Sequence, residues 1–410
     1  MTIYKILTFF IVLSAAFAYI NHRYVKMPFV IGLFFISTLV SIIVLTSKLW
    51  ISEPYEVLKN VVQQTNISKF ILNIMLGFLL FAGSLHTNWL NIKLFLKQIS
   101  LFALGGVIVS TLIIAGMVFM LANIFAVDID FIYCLLFGAL ISPTDPIAVL
   151  GILTKAGVSK KIETIIVGES LFNDGVGVVV FIALLEILES GQPSFSISRF
   201  AILFLREAVG GILFGLLFGW LLQRLIKSID HYETEILLTI AFVMAGYQLC
   251  LYFHLSGALA MVVMGLLVGN YQKDNIMSDK TKEYVTKFWE LVDVILNAIL
   301  FILIAFVLVV IDFKAYYILI AAACVLIVFA SRIIIVYLPK ILLPKLTSIN
   351  NREAKLLIWG GLRGGLSIAM VLSLPETETR NLLLIATYFV VVFSIMVQGL
   401  SVRKVASMLK

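Results

Sequence analysis

Charged residues are scarce in this chain. Only 13% of its 410 residues are Asp, Glu, Lys or Arg, whereas 62% are hydrophobic and the mean hydropathy is +1.11. A soluble domain has about 25% charged residues, so a soluble protein of this length would have too few polar side chains to cover its surface. The same deficit excludes disordered, collagen-like and coiled-coil chains. The composition therefore indicates a polytopic membrane protein.

Cysteine and histidine are also rare. The three cysteines, Cys134, Cys250 and Cys324, all lie in apolar stretches, so a disulfide framework is not expected. The four histidines form no His-Glu-x-x-His motif, and no Cys-x-x-Cys occurs, so a structural zinc site has no support. Cytoplasmic loop charge explains the net charge of +7 better than nucleic-acid binding does.

Long apolar runs make up most of the chain. A spanning helix needs about 20 mostly apolar residues, and the runs lack the alternation of barrel strands. We therefore expect an all-α fold with about 13 transmembrane helices. Their expected positions are 4–21, 27–48, 69–87, 98–126, 131–154, 162–188, 198–226, 234–252, 255–270, 288–311, 315–338, 354–374 and 381–402.

The basic residues predict the orientation of these spans. One set of alternate loops carries 20 of the 30 Lys and Arg residues, and the other set carries 6. Because cytoplasmic loops are the basic ones, we expect the N-terminus outside and the C-terminus in the cytoplasm. A cleaved signal peptide ending near the Ala-Phe-Ala at 16–18 is an alternative for the first span. Its removal would invert the charge distribution, which argues against it.

Two spans are interrupted in similar ways. One contains Ser-Pro-Thr-Asp-Pro at 142–146, and the other contains Gly-Gly-Leu-Arg-Gly-Gly at 360–365. Each interrupted span is followed directly by another span, and the two interrupted spans lie in opposite halves of the chain. Broken segments at corresponding positions point to an inverted-repeat secondary transporter with its binding site at the breaks.

The first interruption contains a carboxylate at mid-span. Pro143 and Pro146 should unwind about one turn, because each lacks an N–H and clashes with a preceding carbonyl. Asp145 is placed to cap the helix that restarts at Pro146, and the freed carbonyl of Thr144 could face a cation. A plain proline kink would explain the prolines but not the acid.

Four polar residues share one sector of the span at 162–188. At about 100° per residue, Glu169, Ser170, Asn173 and Asp174 fall within about 140° of one another. Ser170 and Asp174 are i, i+4 neighbours and can offer oxygens to one ion. A polar stripe that holds helices together is the alternative, but it does not explain two carboxylates.

Two arginines lie within spans. Arg363 stands between two glycine pairs, and we expect it to balance the negative helix ends at the breaks while Asp145 balances the positive ones. A glycine packing face would be compatible with this role. Arg332 lies deep in its span and is expected to pair with Glu169. The alternative is that Arg332 snorkels to the cytoplasmic interface.

In combination these motifs resemble the monovalent cation:proton antiporter-1 family, the sodium/proton exchangers of the NhaP type. The resemblance covers essentially the whole chain and includes Val-Gln-Gly at 397–399. It implies an NhaA-like fold of inverted repeats with two crossed, unwound helices, and a homodimer. It also implies ion-translocating core helices at about 69–188 and 315–402, and dimerisation or scaffold helices at about 1–48 and 198–311.

The resemblance also implies a role for each site residue. Asp174 would bind the ion and the proton, with Na⁺ held by Asp174, Ser170 and Thr144. Asn173 and Asp145 would complete the site, Glu169 and Arg332 would form a structural ion pair, and Arg363 would compensate charge at the unwound helices. The chain departs from some relatives, which have an acid in the third span, because it reads Leu-Phe-Ala-Gly at 80–83.

The expected function is secondary active antiport of Na⁺, or Li⁺, against H⁺ in a plasma (inner) membrane, in the service of pH homeostasis. With Asn173 in place of a second acid, one carboxylate would bind either ion, so exchange would be 1:1 and electroneutral. A K⁺/H⁺ antiporter or another proton-coupled cation transporter is the alternative. An enzyme is not expected, because the spans hold no nucleophile with a base. We expect lipid as the surrounding partner, and neither a cofactor nor nucleic acid.

Overall fold

The fold was analysed in a computed structural model that describes residues 3–48, 50–146, 150–151, 153–154, 157–190, 196–271, 279–311 and 315–408. Within these ranges all regular secondary structure is helical. The main helices are α1 (Tyr4–Val25), α2 (Phe29–Ser47), α3 (Glu53–Gln64), α4 (Ile67–Leu85), α5 (Leu96–Ile124), α6 (Phe131–Ile141), α7 (Lys160–Glu189), α8 (Ile197–Lys227), α9 (Tyr232–Tyr252), α10 (Gly257–Asn270), α11 (Lys280–Val307), α12 (Tyr316–Leu342), α13 (Asn351–Gly360), α14 (Leu366–Leu372) and α15 (Glu378–Met408). Short turns of helix at Trp89–Leu94 and Pro344–Thr347 connect them.

Ten of the described helices are long and apolar enough to cross a membrane. Helices α6 and α10 are apolar but shorter, and α13 and α14 are two half-length helices separated by non-helical backbone at 361–365. The predicted class, an all-α polytopic membrane protein, is confirmed. The two expected interruptions are present, whereas the exact count of 13 spans is not confirmed, because the remaining apolar helices among the described residues are short. Proline and glycine end helices early.

Helix α3 is an element that the apolar runs did not predict. It buries Tyr55, Leu58 and Val61 on one face and exposes Glu53 and Glu56. Its mixture of apolar and charged residues produces no continuous apolar run. Helical spacing of the buried residues is the signal that would have revealed it.

The packing surrounds α6 and α7 with other helices. Helix α6 packs against α5 and α7, α14 packs against α6 and α15, and α12 packs against α5 and α15. On the other side, α4 packs against α10 and α11, where the rings of Phe81 and Trp289 lie 4.7 Å apart. Helices α1 and α8 are the most peripheral, since only 17% of the apolar window of each is buried, against 72% for α15.

Candidate functional site

Two interrupted helices meet near the middle of the bundle. Helix α6 ends at Ile141, and residues 142–146 are non-helical, as are residues 361–365 between α13 and α14. The Asp145 N–H donates to the carbonyl of Leu362 at 2.8 Å, and the Ser367 hydroxyl donates to the carbonyl of Leu140 at 2.7 Å. The two breaks are therefore joined directly by hydrogen bonds, and each satisfies polar groups that the other leaves without an intrahelical partner.

A buried arginine lies at the end of α6. The Arg363 side chain is 2% exposed, and its guanidinium donates to the carbonyl of Ser142 and, at 3.0 Å, to that of Pro143. These carbonyls lie at the C-terminal end of α6, which carries partial negative charge. The positive charge of Arg363 thus faces the negative end of a half-helix inside the protein.

The crossing leaves no room for a side chain at Gly364. A Cβ there would lie 2.7 Å from the Cβ of Asp145 and 2.8 Å from its Oδ2, closer than non-bonded carbon and oxygen atoms approach. Glycine at this position allows the second break to approach the carboxylate of the first. Asp145 therefore lies against the backbone just before α14.

Helix α7 presents polar side chains to the first break. The Asn173 amide donates to the Thr144 hydroxyl at 2.9 Å and accepts from the Thr144 N–H at 3.3 Å. The Ser170 hydroxyl donates to the Thr144 carbonyl. All three side chains are buried. Thr144 is thus held by hydrogen bonds from two successive turns of α7.

A cavity of about 590 Å³ extends to this point. Asp145, Ser170 and Asp174 line it, whereas Thr144 and Asn173 lie behind the wall and are bonded to each other. The structure therefore brings three of the five predicted ion-binding residues to one open space. The other two residues, Thr144 and Asn173, hydrogen-bond to each other and hold the backbone of the first break in place behind the cavity wall.

The cavity opens towards one side of the bundle. Its rim includes His86 and Asn91, which follow α4, and Glu163 near the start of α7. Beyond Asp174 the packing is tight, since a Cβ on Gly177 would overlap Pro143. Asp174 is therefore accessible from the side where the loops following α4 and preceding α7 lie.

An ion pair lies at the edge of this polar sector of α7, about 140° around the helix from Asp174. Glu169 and Arg332 form a two-pronged salt bridge, with Arg332 Nη2 donating to Glu169 Oε2 at 3.1 Å. Arg332 Nη2 also donates to the Leu357 carbonyl at 2.9 Å. Both side chains are buried, at 2% and 5% exposure, so Arg332 points into the protein rather than towards the interface. This pair ties α7 to α12 and α13.

Two cavity residues were missed by the sequence reasoning. Asp293 and Asn297 lie on α11 and line the same cavity as Asp174. A carboxylate within an expected span, with an amide one helical turn later, is the signal that would have identified them.

Comparison with known proteins identifies the family. Residues 12–407 match the model of the sodium/hydrogen exchanger transmembrane family. The chain belongs to the sodium/hydrogen exchanger family. It is 43% identical over 399 residues to the Na⁺/H⁺ antiporter NhaP of Pseudomonas aeruginosa, covering 96% of this chain and 94% of that one. It is 36% identical to the Na⁺/H⁺ antiporter NhaH of Halobacillus aidingensis, covering 86% and 85% of the two chains.

The fold of this exchanger also resembles a solved structure. The sodium proton antiporter MjNhaP1 from Methanocaldococcus jannaschii superposes with a TM-score of 0.77 at 18% sequence identity, over 99% of both chains. Identity this low supports the fold alone. The expected family and the expected all-helical membrane fold are therefore confirmed, whereas the NhaA-like label is not.

Proposed function

We propose that this family member exchanges Na⁺ for H⁺ at the carboxylate of Asp174. The observation that carries the proposal is the position of Asp174 at the inner end of the cavity, one turn from Ser170 and beside the crossing. Glu169, the other acid of the motif, is paired with Arg332. The names of the relatives, Na⁺/H⁺ antiporters, agree with this activity.

The proposed Na⁺ ligands are the carboxylate of Asp174, the hydroxyl of Ser170 and an oxygen of Thr144. Oxygen ligands of this kind suit a hard cation. Asn173 acts as a positioning residue, because its hydrogen bonds hold the Thr144 backbone against α7. Asp145 and Arg363 contribute the opposite charges needed where two helices end inside the membrane.

Competition for one carboxylate accounts for exchange in this proposal. Removing a carboxylate from water disfavours its charged form, so either a proton or a sodium ion must neutralise Asp174 before it can be enclosed. Asn173 contributes an amide rather than a second acid. The loaded site then carries the same net charge with either ion, which makes exchange 1:1 and electroneutral.

Alternating access would occur by movement of a core, at about 69–188 and 315–402, against a scaffold at about 1–48 and 198–311. The cavity lies between these parts, with α11 on the scaffold side and α7 and α14 on the core side. The peripheral, lipid-type surfaces of α1 and α8 suit a scaffold that forms a homodimer. These ranges are the ones that the family resemblance implies.

The proposed membrane is the plasma membrane, with the N-terminus outside and the C-terminus in the cytoplasm. In the sequence, Asn91 and Glu163 of the cavity lining are close to Lys93, Lys97, Lys160 and Lys161, which belong to the basic loops. By the positive-inside rule the cavity then opens to the cytoplasm. Exchange in this setting would serve pH homeostasis.

The test is Na⁺-induced dequenching of a pH dye in proteoliposomes, with Li⁺ and K⁺ added in parallel. We expect dequenching with Na⁺ that is unchanged when the membrane potential is clamped. Asp174→Asn should remove it while the protein elutes as a single species. Exchange retained by Asp174→Asn contradicts the site, and a potential-dependent current contradicts the stoichiometry.

A further inference from the structure

The cavity has a second polar wall that belongs to neither interrupted helix. Asp293 and Asn297 on α11 face the space that Asp174 faces from α7. The described lining contains the carboxylates of Asp145, Glu163, Asp174 and Asp293, and within it no Lys or Arg appears. A cleft whose charged side chains are all acidic concentrates cations.

The orientation of the Asn297 amide is determined by its neighbours. Its Nδ2 donates to the Asp293 backbone carbonyl at 2.9 Å and to the Asp293 carboxylate at 3.0 Å. Both partners are acceptors, so the nitrogen must occupy this side and Oδ1 the other. Among the described residues, no donor reaches the buried Oδ1, although the side chain is only 2% exposed.

A buried carbonyl oxygen without a donor is costly in a folded protein. It is also a good ligand for a hard cation, which binds amide carbonyls and carboxylates together. The Asn297 side-chain nitrogen therefore holds the Asp293 carboxylate, and the Asn297 side-chain oxygen has no hydrogen-bond donor within the described part of the chain. This arrangement is suited to coordinate an ion rather than to cap a helix.

The adjacent wall of the cavity, formed by the described residues of α4, offers that oxygen no hydrogen-bond donor. Helix α4 contributes Leu79, Leu80 and Gly83 to the lining, and a Cβ added at Gly83 would meet nothing within 4 Å. The open space beside α4 can hold a partly hydrated ion.

Asp174 and Asp293 are not part of a metal site built from three or more of the described acids. In the described part of the chain, no three His, Cys, Asp or Glu side chains converge as a metal site would require. Asp145, Asp174 and Asp293 are therefore not a single three-carboxylate site. They line one path at different points.

We propose that Asp293 and the Asn297 side-chain oxygen form a second binding site for a monovalent cation, which receives the ion before it reaches Asp174. The inference rests on the proposed exchange at Asp174. It also assigns a role to a carboxylate on α11, a helix that contains neither break.

The position of this second site makes its effect depend on the side of the membrane. Asp293 lies in the scaffold range 198–311, whereas Asp174 lies in the core range 69–188. When the core moves to expose Asp174 on the other side, Asp293 stays behind. The second site therefore serves ions that enter from the side where the cavity is open in this structure, and not ions that enter from the opposite side.

The test compares Asp293→Asn with the unmodified protein in everted and right-side-out membrane vesicles, using a pH dye and a range of Na⁺ concentrations. For Na⁺ added on the open side, the half-maximal concentration should rise about tenfold, as expected for the loss of one charged ligand. For Na⁺ added on the other side it should change less than about twofold. The maximal rate should stay within about twofold on both sides.

Two further variants sharpen this test. Asn297→Ala removes the carbonyl ligand without changing the net charge. The half-maximal Na⁺ concentration should again rise only for Na⁺ added on the open side. This variant tests the second site even if Asp293→Asn does not fold. Glu290→Gln removes an acid from the same helix, where the side chain is exposed and outside the cavity lining. It should leave the half-maximal concentration unchanged.

Several results would overturn the second site. One is a half-maximal Na⁺ concentration of Asp293→Asn that does not rise, or that rises equally on both sides of the membrane. The others are loss of exchange by Asp293→Asn at saturating Na⁺, and the same rise in half-maximal Na⁺ concentration for Glu290→Gln. Binding of radioactive Na⁺ to purified Asp174→Asn protein separates this inference from the proposed function. Residual Na⁺ binding to Asp174→Asn should disappear in the double variant that also carries Asp293→Asn. Exchange retained by Asp174→Asn alone contradicts only the site at Asp174.

Discussion

The buried ion pair between Glu169 and Arg332 allows a quantitative prediction. Glu169→Gln keeps the shape of the side chain and one acceptor oxygen, but it leaves the guanidinium of Arg332 without a counter-charge inside the protein. Removing one partner of a buried pair costs about 3–5 kcal/mol. Because Arg332 also donates to the Leu357 carbonyl, which remains in place, we expect a loss near the lower end, about 3 kcal/mol.

The measurement is the apparent Tm of the detergent-purified protein. At roughly 2 °C per kcal/mol for a large chain, Glu169→Gln should lower the apparent Tm by about 6 °C. Arg332→Met should lower it by a similar amount, since it leaves a buried carboxylate without a partner. The double variant removes both charges, so it should lose less than the sum of the single variants by about 2 kcal/mol.

The control is the exposed pair of Glu283 and Lys287, whose side chains are 61% and 65% exposed and 2.5 Å apart. Surface pairs contribute little to stability, so Glu283→Gln should leave the apparent Tm unchanged. Additive losses in the Glu169 and Arg332 double variant would refute the reasoning, because additivity would mean that the two charges do not compensate each other.

Three further predictions concern the crossing and the site. Arg363→Met, which leaves the carbonyls of Ser142 and Pro143 without their donor, should lower both the apparent Tm and the exchange rate, and a normal rate would contradict the role of its charge. Gly364→Ala forces a Cβ against Asp145 and should reduce the maximal exchange rate in proteoliposomes at least tenfold, on the order of 1.4 kcal/mol; an unchanged rate would mean that the close approach is not needed for transport. Asn173→Asp adds a second acid, so Na⁺-driven exchange should become electrogenic and generate a current on a solid-supported membrane, and continued electroneutral exchange would argue against the single-carboxylate mechanism.

Much of the fold could be predicted because the bilayer imposes simple rules on the sequence. Apolar runs about 20 residues long located most of the spans, and the prolines around Asp145 and the glycines around Arg363 marked both helix breaks. The residues that escaped prediction do not follow those rules. Helix α3 mixes charges with its apolar face, so it forms no continuous apolar run.

The site could be predicted to a similar extent. Helical spacing placed Ser170 and Asp174 together, and both line the cavity. Spacing along one helix cannot show which residues of a distant helix face the same space, so Asp293 was overlooked. Helical spacing also could not show that Asn173 and Thr144 form a hydrogen bond behind the cavity wall.

The central claim is that a proton and a sodium ion compete for Asp174. The most direct measurement is Na⁺ binding to the purified protein by isothermal titration at a series of pH values, in buffers of different protonation enthalpy. Competition predicts proton release on Na⁺ binding and, in the acid range, an apparent affinity that falls about tenfold per pH unit. In the Asp293→Asn background, adding Asp174→Asn should abolish that proton release. Na⁺ binding that is independent of pH, or proton release that persists in the double variant, would contradict the claim.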